Sequence, residues 1–149
     1  KCEAATALGA TRAINYKTED FEKIVKDGGG ADVILDMVGG DYVQKNISVA
    51  RVNGRICNIA YLNGSKVELD LIYLMMKRLI LTGTTLRARS AEEKAEIRAA
   101  IEDQFWPKVA SGAIKPVIEK VYPASEAETA QAHMADGGHI GKLLLEFAD

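Results

Sequence analysis

The feature that most constrains this chain is a regular alternation of short, almost uninterrupted apolar runs with stretches of helical spacing. The runs are "ADVILDMV" (residues 31–38), "GRICNIA" (54–60) and "RLILTGTT" (78–85), and the segments between them, 41–50 and 70–77, read as short helices. A strand that is apolar at nearly every position suits a parallel sheet covered on both faces, and short glycine-containing connections suit right-handed strand–helix–strand crossovers. The expected fold class is therefore α/β with a parallel sheet.

The flanking segments extend this pattern. "KCEAATALGA" reads as the latter part of an amphipathic helix closed by Gly9, and "RAINY" (12–16) as a short strand. Thr18 is the expected N-cap of a helix whose apolar face is Phe21, Ile24 and Val25. The character changes at Ser90. Ser90 and Glu93 form a capping-box pattern, and Ile97, Ile101, Phe105 and Val109 recur along one face of a long helix, with a break expected at Pro107. "KPVIEKVYP" (115–123) then reads as extended, Ser125 and Glu128 as a second capping box, residues 126–138 as a helix stopped by two glycines, and "GKLLLEF" (141–147) as a closing strand. One boundary follows, dividing residues 1–89 from 90–149.

Composition narrows the function classes. The 149 residues are 48% hydrophobic and 27% charged, which fits a globular domain, and the net charge of −2 is spread along the chain without a basic stripe for nucleic acid. The most apolar stretch, 70–83, is interrupted by Lys77 and Arg78 well short of the ~20 residues of a membrane span. Cys2 and Cys57 lie in different segments with no CxxC pairing, so a reducing cytoplasm is expected. The chain starts at Lys1 inside a helical pattern, and we expect a fragment of a longer protein.

Motifs carry less. No GxGxxG occurs; "DGGGAD" precedes a strand, whereas "MVGGDY" follows one and opens a helix, the correct polarity for a ligand crevice but weak evidence with two glycines alone. His133 and His139 lie six apart with no third ligand nearby and read as surface or capping histidines. No GxSxG elbow or serine–histidine–acid set is present. Arg87 and Arg89 in "TLRAR" are able to hold an anion, although pairing with local carboxylates in a solvated loop is the better expectation.

Taken together, "LGATRAINYKTEDF", "ADVILDMVGGDYVQKN", "GRICNIAYLNG", "MMKRLILTGTTLRARS", "FWPKVASGAIKPVI" and "AHMADGGHIGKLLLEF" resemble the quinone oxidoreductase branch of the medium-chain dehydrogenase/reductase superfamily, over essentially the whole chain. The resemblance implies a zinc-independent reductase that transfers hydride from NADPH to quinones or related conjugated carbonyls, with no side chain firmly assigned as general acid. It places Lys1 and Tyr16 at the 2′-phosphate of NADPH. It places Val38 and Gly39, then Ala60, Tyr61 and Leu62, then Thr84, Thr85 and Leu86 at the ends of three successive strands beside the cofactor, and His139 at a polar cofactor contact. The glycines of "ADVILDMVGG" then make room for cofactor. An enoyl or alkenal reductase, or a non-catalytic structural or RNA-binding relative, is the alternative reading.

In the resemblance, the catalytic domain, two sheet strands and the glycine-rich loop all precede Lys1. This chain then supplies part of a Rossmann sheet, which lacks its first two strands, plus a helix–strand segment returning to the catalytic domain. By itself the chain is expected to be inactive. A homodimer is expected through the edge strand of residues 78–85. With the sheet interrupted, residues 31–38 are expected to acquire a new ladder neighbour, from residues 10–16 or from "KLLLEF".

Overall fold

A computed structural model describes residues 1–147. In chain order it contains α1 (Cys2–Ala7), α2 (Phe21–Asp27), β1 (Ala31–Asp36), α3 (Tyr42–Val49), β2 (Ala50–Asn58), α4 (Ile72–Met76) and β3 (Ile80–Gly83). These are followed by α5 (Ala91–Gln104), α6 (Trp106–Ala110), β4 (Ile118–Pro123), a single 3-10 turn (Ala124–Glu126), α7 (Ala127–Asp136) and β5 (Lys142–Glu146). The chain divides into two compact units. One is Ile14–Ser90; the other joins Lys1–Ala13 to the residues from Ala91 onward. Residues 148 and 149, the end of the expected return segment, lie outside the described residues.

In the first unit, β1, β2 and β3 form a parallel sheet in that order. The alternation of apolar runs and helices thus produces the architecture it implies. β-branched runs give the strands, and α3 crosses from β1 to β2 because Val43 and Ile47, one turn apart, share an apolar face. Those two side chains close over Ile56 and Ala50, and Ile34, Leu69 and Leu79 pack against the same cluster. Ile47 and Ile56 are fully buried. The C-terminal carbonyls of α3 are met by Lys77, whose ammonium donates to Ser48 O at 2.7 Å and Ala50 O at 2.9 Å. Burial lowers the pKa of Lys77, with Lys26 adding to the shift.

Three expectations for this unit are corrected. Residues 12–16 form no strand; the chain instead turns on Asn15, whose carbonyl accepts from Thr18 N and Glu19 N. That turn places Thr18 ahead of the helix. The N-cap of α2 is Asp20, whose carboxylate accepts from Lys23 N at 3.1 Å. Finally, β1 acquires no new neighbour. Among the described residues it pairs with β2 alone, because β5 pairs with β4. Nor is β1 covered on both faces: Val33 and Leu35 are 72% and 68% exposed. One ladder and one packed face hold the strand in place, so its other edge and face stay open.

In the second unit, β4 and β5 form a two-stranded parallel sheet connected through α7. Gly137, at φ 72°, stops α7 as its sequence position implies. The capping box of Ser125 and Glu128 does not form. The 3-10 turn moves the start of α7 to Glu126, which makes no side-chain capping bond. The long helix breaks at Phe105, between α5 and α6, with Pro107 in the first turn of α6, where its missing N–H costs nothing.

A crevice at the carboxyl ends of the strands

The carboxyl end of β1 is organised by Asp36. Its Oδ1 accepts from Val38 N at 2.7 Å and Gly39 N at 3.3 Å, an arrangement that bends the chain out of the strand. Its Oδ2 accepts from Asn58 Nδ2 at 2.9 Å, at the end of β2. The loops beyond are laced together: Leu62 N donates to Met37 O, Asn63 N to Val38 O and Gly40 N to Gly64 O. Thr84 N donates to Asn58 O, which ties the end of β3 to the same place.

The glycines of "VGG" have a definite task here. Gly39 has φ 69°, and a Cβ built on it would lie 2.7 Å from Tyr61 Cδ1 and 2.8 Å from Gly64 O. Gly40, at φ 54°, is equally close to Asn63 O. The space beside them is filled by residues 61–64, the loop that follows β2.

An open crevice of about 370 Å³ lies beyond, between the ends of β2 and β3. Asn58, Ile59, Ala60 and Tyr61 form one wall, and Gly83, Thr84 and Thr85 the other. Arg89 reaches back to the second wall, donating from Nε to Thr85 O at 3.2 Å and from Nη2 to the Thr84 hydroxyl at 3.0 Å. The walls are mostly apolar, with a few hydroxyl, amide and backbone polar groups, the general character of a small-molecule site. Parallel α/β sheets place ligands at this end.

Four residues named from the sequence, Ala60, Tyr61, Thr84 and Thr85, are thus brought together. Leu62 and Leu86 belong to the same loops but are exposed and do not line the crevice. Val38 and Gly39 lie in the laced loop behind the Tyr61 wall. Tyr16 is exposed in the same unit. Lys1 and His139 belong to the other unit. There the Lys1 ammonium donates to Gly137 O at 2.6 Å. His139 packs edge-on against His133 at 6.0 Å between ring centroids, and His133 Nδ1 shares a 2.8 Å hydrogen bond with the buried Tyr122 hydroxyl. These histidines are half-buried members of a ring cluster rather than surface groups. Among the described residues no three histidine, cysteine, aspartate or glutamate side chains converge as metal ligands.

The family model of zinc-binding dehydrogenases matches residues 8–145. The chain belongs to that family. Among curated relatives it is 28% identical to the 2-haloacrylate reductase of a Burkholderia species, over 97% of this chain and 44% of that protein. It is 25% identical to quinone oxidoreductase-like protein 2 of Bos taurus, over 97% of this chain and 42% of the relative. Among solved structures, the quinone oxidoreductase of Thermus thermophilus, known also in complex with NADPH, superposes with a TM-score of 0.76 at 26% identity, covering 95% of this chain and 44% of that one. The chain thus spans about two fifths of the length of these dehydrogenase-family relatives, and the superposition places its α/β architecture within the medium-chain dehydrogenase/reductase fold.

The sequence reading missed Asp36 and Asn58, and it gave Arg89 no place at the crevice. A lone aspartate shortly before a glycine pair is a turn signal that points to Asp36. Asn58 carries no signal, because only the register of β1 on β2 brings it opposite Asp36.

Proposed function

We propose that this chain is the cofactor-binding part of a zinc-independent reductase of the medium-chain superfamily, which transfers hydride from NADPH to a quinone or related conjugated carbonyl in the cytoplasm. The observation that carries the reading is the crevice between β2 and β3, which has the position and lining for a nicotinamide ring. The residues that would hold that end of the cofactor are Ala60, Tyr61, Thr84 and Thr85. Bound NADPH supplies the hydride. Ile59 and Ala60 would offer that ring an apolar wall, and the Asp36–Asn58 bond ties together the strand ends beside it.

The fit is partial. Val38 and Gly39 remain proposed cofactor contacts, although the space a side chain at Gly39 would take is filled by Tyr61 and Gly64. Lys1 and Tyr16 remain our proposed 2′-phosphate contacts, and Lys1 would have to exchange its bond to Gly137 O for the phosphate. His139 remains a proposed polar contact, and a homodimer through β3 is proposed on its place at the sheet edge. A nucleic-acid partner has no support in a chain of net charge −2.

A second substrate reading, an alkene conjugated to a carbonyl or carboxylate, is favoured by the similarity to 2-haloacrylate reductase. Steady-state rates of the intact protein with NADPH and, in parallel, a quinone, an enal and an acrylate test both. Oxidation of NADPH by the quinone fastest supports the first reading; turnover of the enal or acrylate alone replaces it with the second. No oxidation with any acceptor would defeat both. Undiminished activity after exhaustive chelation is the result expected of a zinc-independent enzyme.

A further inference from the structure

We propose that Arg89 is a positioning residue for the crevice: it biases the Thr84 hydroxyl toward donating, so that this wall favours a ligand bearing a carbonyl-type acceptor. The proposal rests on the nicotinamide reading of the crevice and deepens it.

A guanidinium carries five N–H groups and no acceptor, so the 3.0 Å contact from Arg89 Nη2 can be made only with Thr84 Oγ1 accepting. A hydroxyl has one proton and rotates to suit its partners. With Arg89 on one of its two lone pairs, the Thr84 proton must point elsewhere, and among the described residues no hydrogen bond takes it. Thr84 lines the crevice. A threonine without such a neighbour answers a ligand equally as donor or acceptor; one that already accepts from a cation is the better donor and the poorer acceptor.

The same guanidinium removes an alternative. Arg89 Nε donates to Thr85 O at 3.2 Å, occupying the carbonyl next along the wall. Thr84 N is already spent on Asn58 O. Arg89 therefore fixes both residues of the wall and sets the polarity of what remains. A charged donor also polarises the hydroxyl it contacts, which strengthens the bond the hydroxyl gives onward. The part of a nicotinamide cofactor that answers this description is its carboxamide oxygen.

The test compares NADPH with its thionicotinamide analogue, whose sulfur is a poor acceptor, by fluorescence titration of the intact protein. Wild type should bind NADPH about five- to tenfold more tightly than the analogue, the worth of one hydrogen bond. Thr84→Val should abolish that ratio, while Thr84→Ser should keep it. Arg89→Ala should shrink the ratio by releasing the hydroxyl rotor, and Arg89→Lys, which restores one donor, should recover part of it. If Arg89→Ala weakens both ligands equally, Arg89 is only a structural brace and the proposal fails. It fails equally if Thr84→Val leaves the ratio intact, and that variant, nearly isosteric, guards against misfolding of the arginine variants. Wild-type protein that binds neither ligand would instead overturn the cofactor reading beneath it.

Discussion

Asp36 and Asn58, at the carboxyl ends of neighbouring parallel strands, are joined by a 2.9 Å hydrogen bond while only 4% and 5% exposed. Asp36 also holds two backbone N–H groups, so its removal strands three donors. Asp36→Ala should cost about 2–4 kcal/mol and Asn58→Ala about 1–2 kcal/mol in urea unfolding. Because the pair shares a bond, the double variant should lose less than the sum of the two. Strict additivity would mean that the bond contributes nothing to the fold.

Gly39 leaves no room between its backbone and the Tyr61 ring. Gly39→Ala places a methyl against that ring and the Gly64 carbonyl, at a left-handed φ that a Cβ disfavours. A loss of about 1–3 kcal/mol is expected. Tyr61→Ala in the same protein should not restore the loss, since the carbonyl and the backbone angle remain. Full rescue in a thermal melt would show that the ring alone sets the requirement.

Acid should weaken the protein through Glu22. Its carboxylate accepts from Lys26 at 2.6 Å and from the Ser48 hydroxyl at 2.7 Å, and these bonds, the lysine's first, lower its pKa from the ordinary 4.5. A pKa depressed in the folded state gives stability that is present above the unfolded value and is lost as pH falls through the folded one. Glu22→Gln should therefore lower stability at pH 7 by roughly 0.5–1 kcal/mol and by less at pH 3. Equal losses at both pH values would assign the effect to packing.

How much of this was legible in the sequence depends on what kind of information each feature needs. Local patterns sufficed for β1, β2 and β3, whose β-branched runs lie between turns, and for the break near Pro107. They failed at caps. Thr18 and Ser125 are good capping residues, but the turn on Asn15 and the 3-10 turn at 124–126 decide where helices start. The open face of β1 was misread for a deeper reason: the apolarity of Val33 and Leu35 records what the strand is suited to be covered by, and this chain does not supply that cover. The site divides in the same way. Ala60 and Thr84 were named by the family resemblance and not by local pattern, whereas Asn58 and Arg89 depend on register and on a guanidinium folding back.

The sheet edge bears on assembly. β3 has one strand neighbour among the described residues, and Ile80 on it is exposed, so backbone groups and apolar surface lie together at an edge. Light scattering should give a dimer, and Ile80→Lys, a charge on that edge, should give a monomer. A monomeric wild type at high concentration would remove the basis for isologous pairing of β3.

An NADPH molecule offers three handles: a nicotinamide ring, a pyrophosphate and a 2′-phosphate. For the first, the proposed place is the crevice between the ends of β2 and β3. For the second, an anion needs open backbone N–H groups at a helix N-terminus reached by a glycine-rich turn. The turn here that joins a strand to a helix through two glycines is the one before α3, where Val38 N and Gly39 N are bound by Asp36, Gly40 N is bound by Gly64 O, and Tyr61 packs against Gly39. For the third, Lys1, the proposed contact, would first have to leave Gly137 O. Residues 1–149 alone should consequently bind NADPH no more tightly than about 100 μM by calorimetry, which corresponds to about 5.5 kcal/mol of binding free energy at most. Whatever preference they show for NADPH over NADH should fall in Lys1→Ala. Micromolar binding would mean that an anion is held elsewhere on the chain, and an unchanged preference in Lys1→Ala would remove the lysine from the 2′-phosphate site.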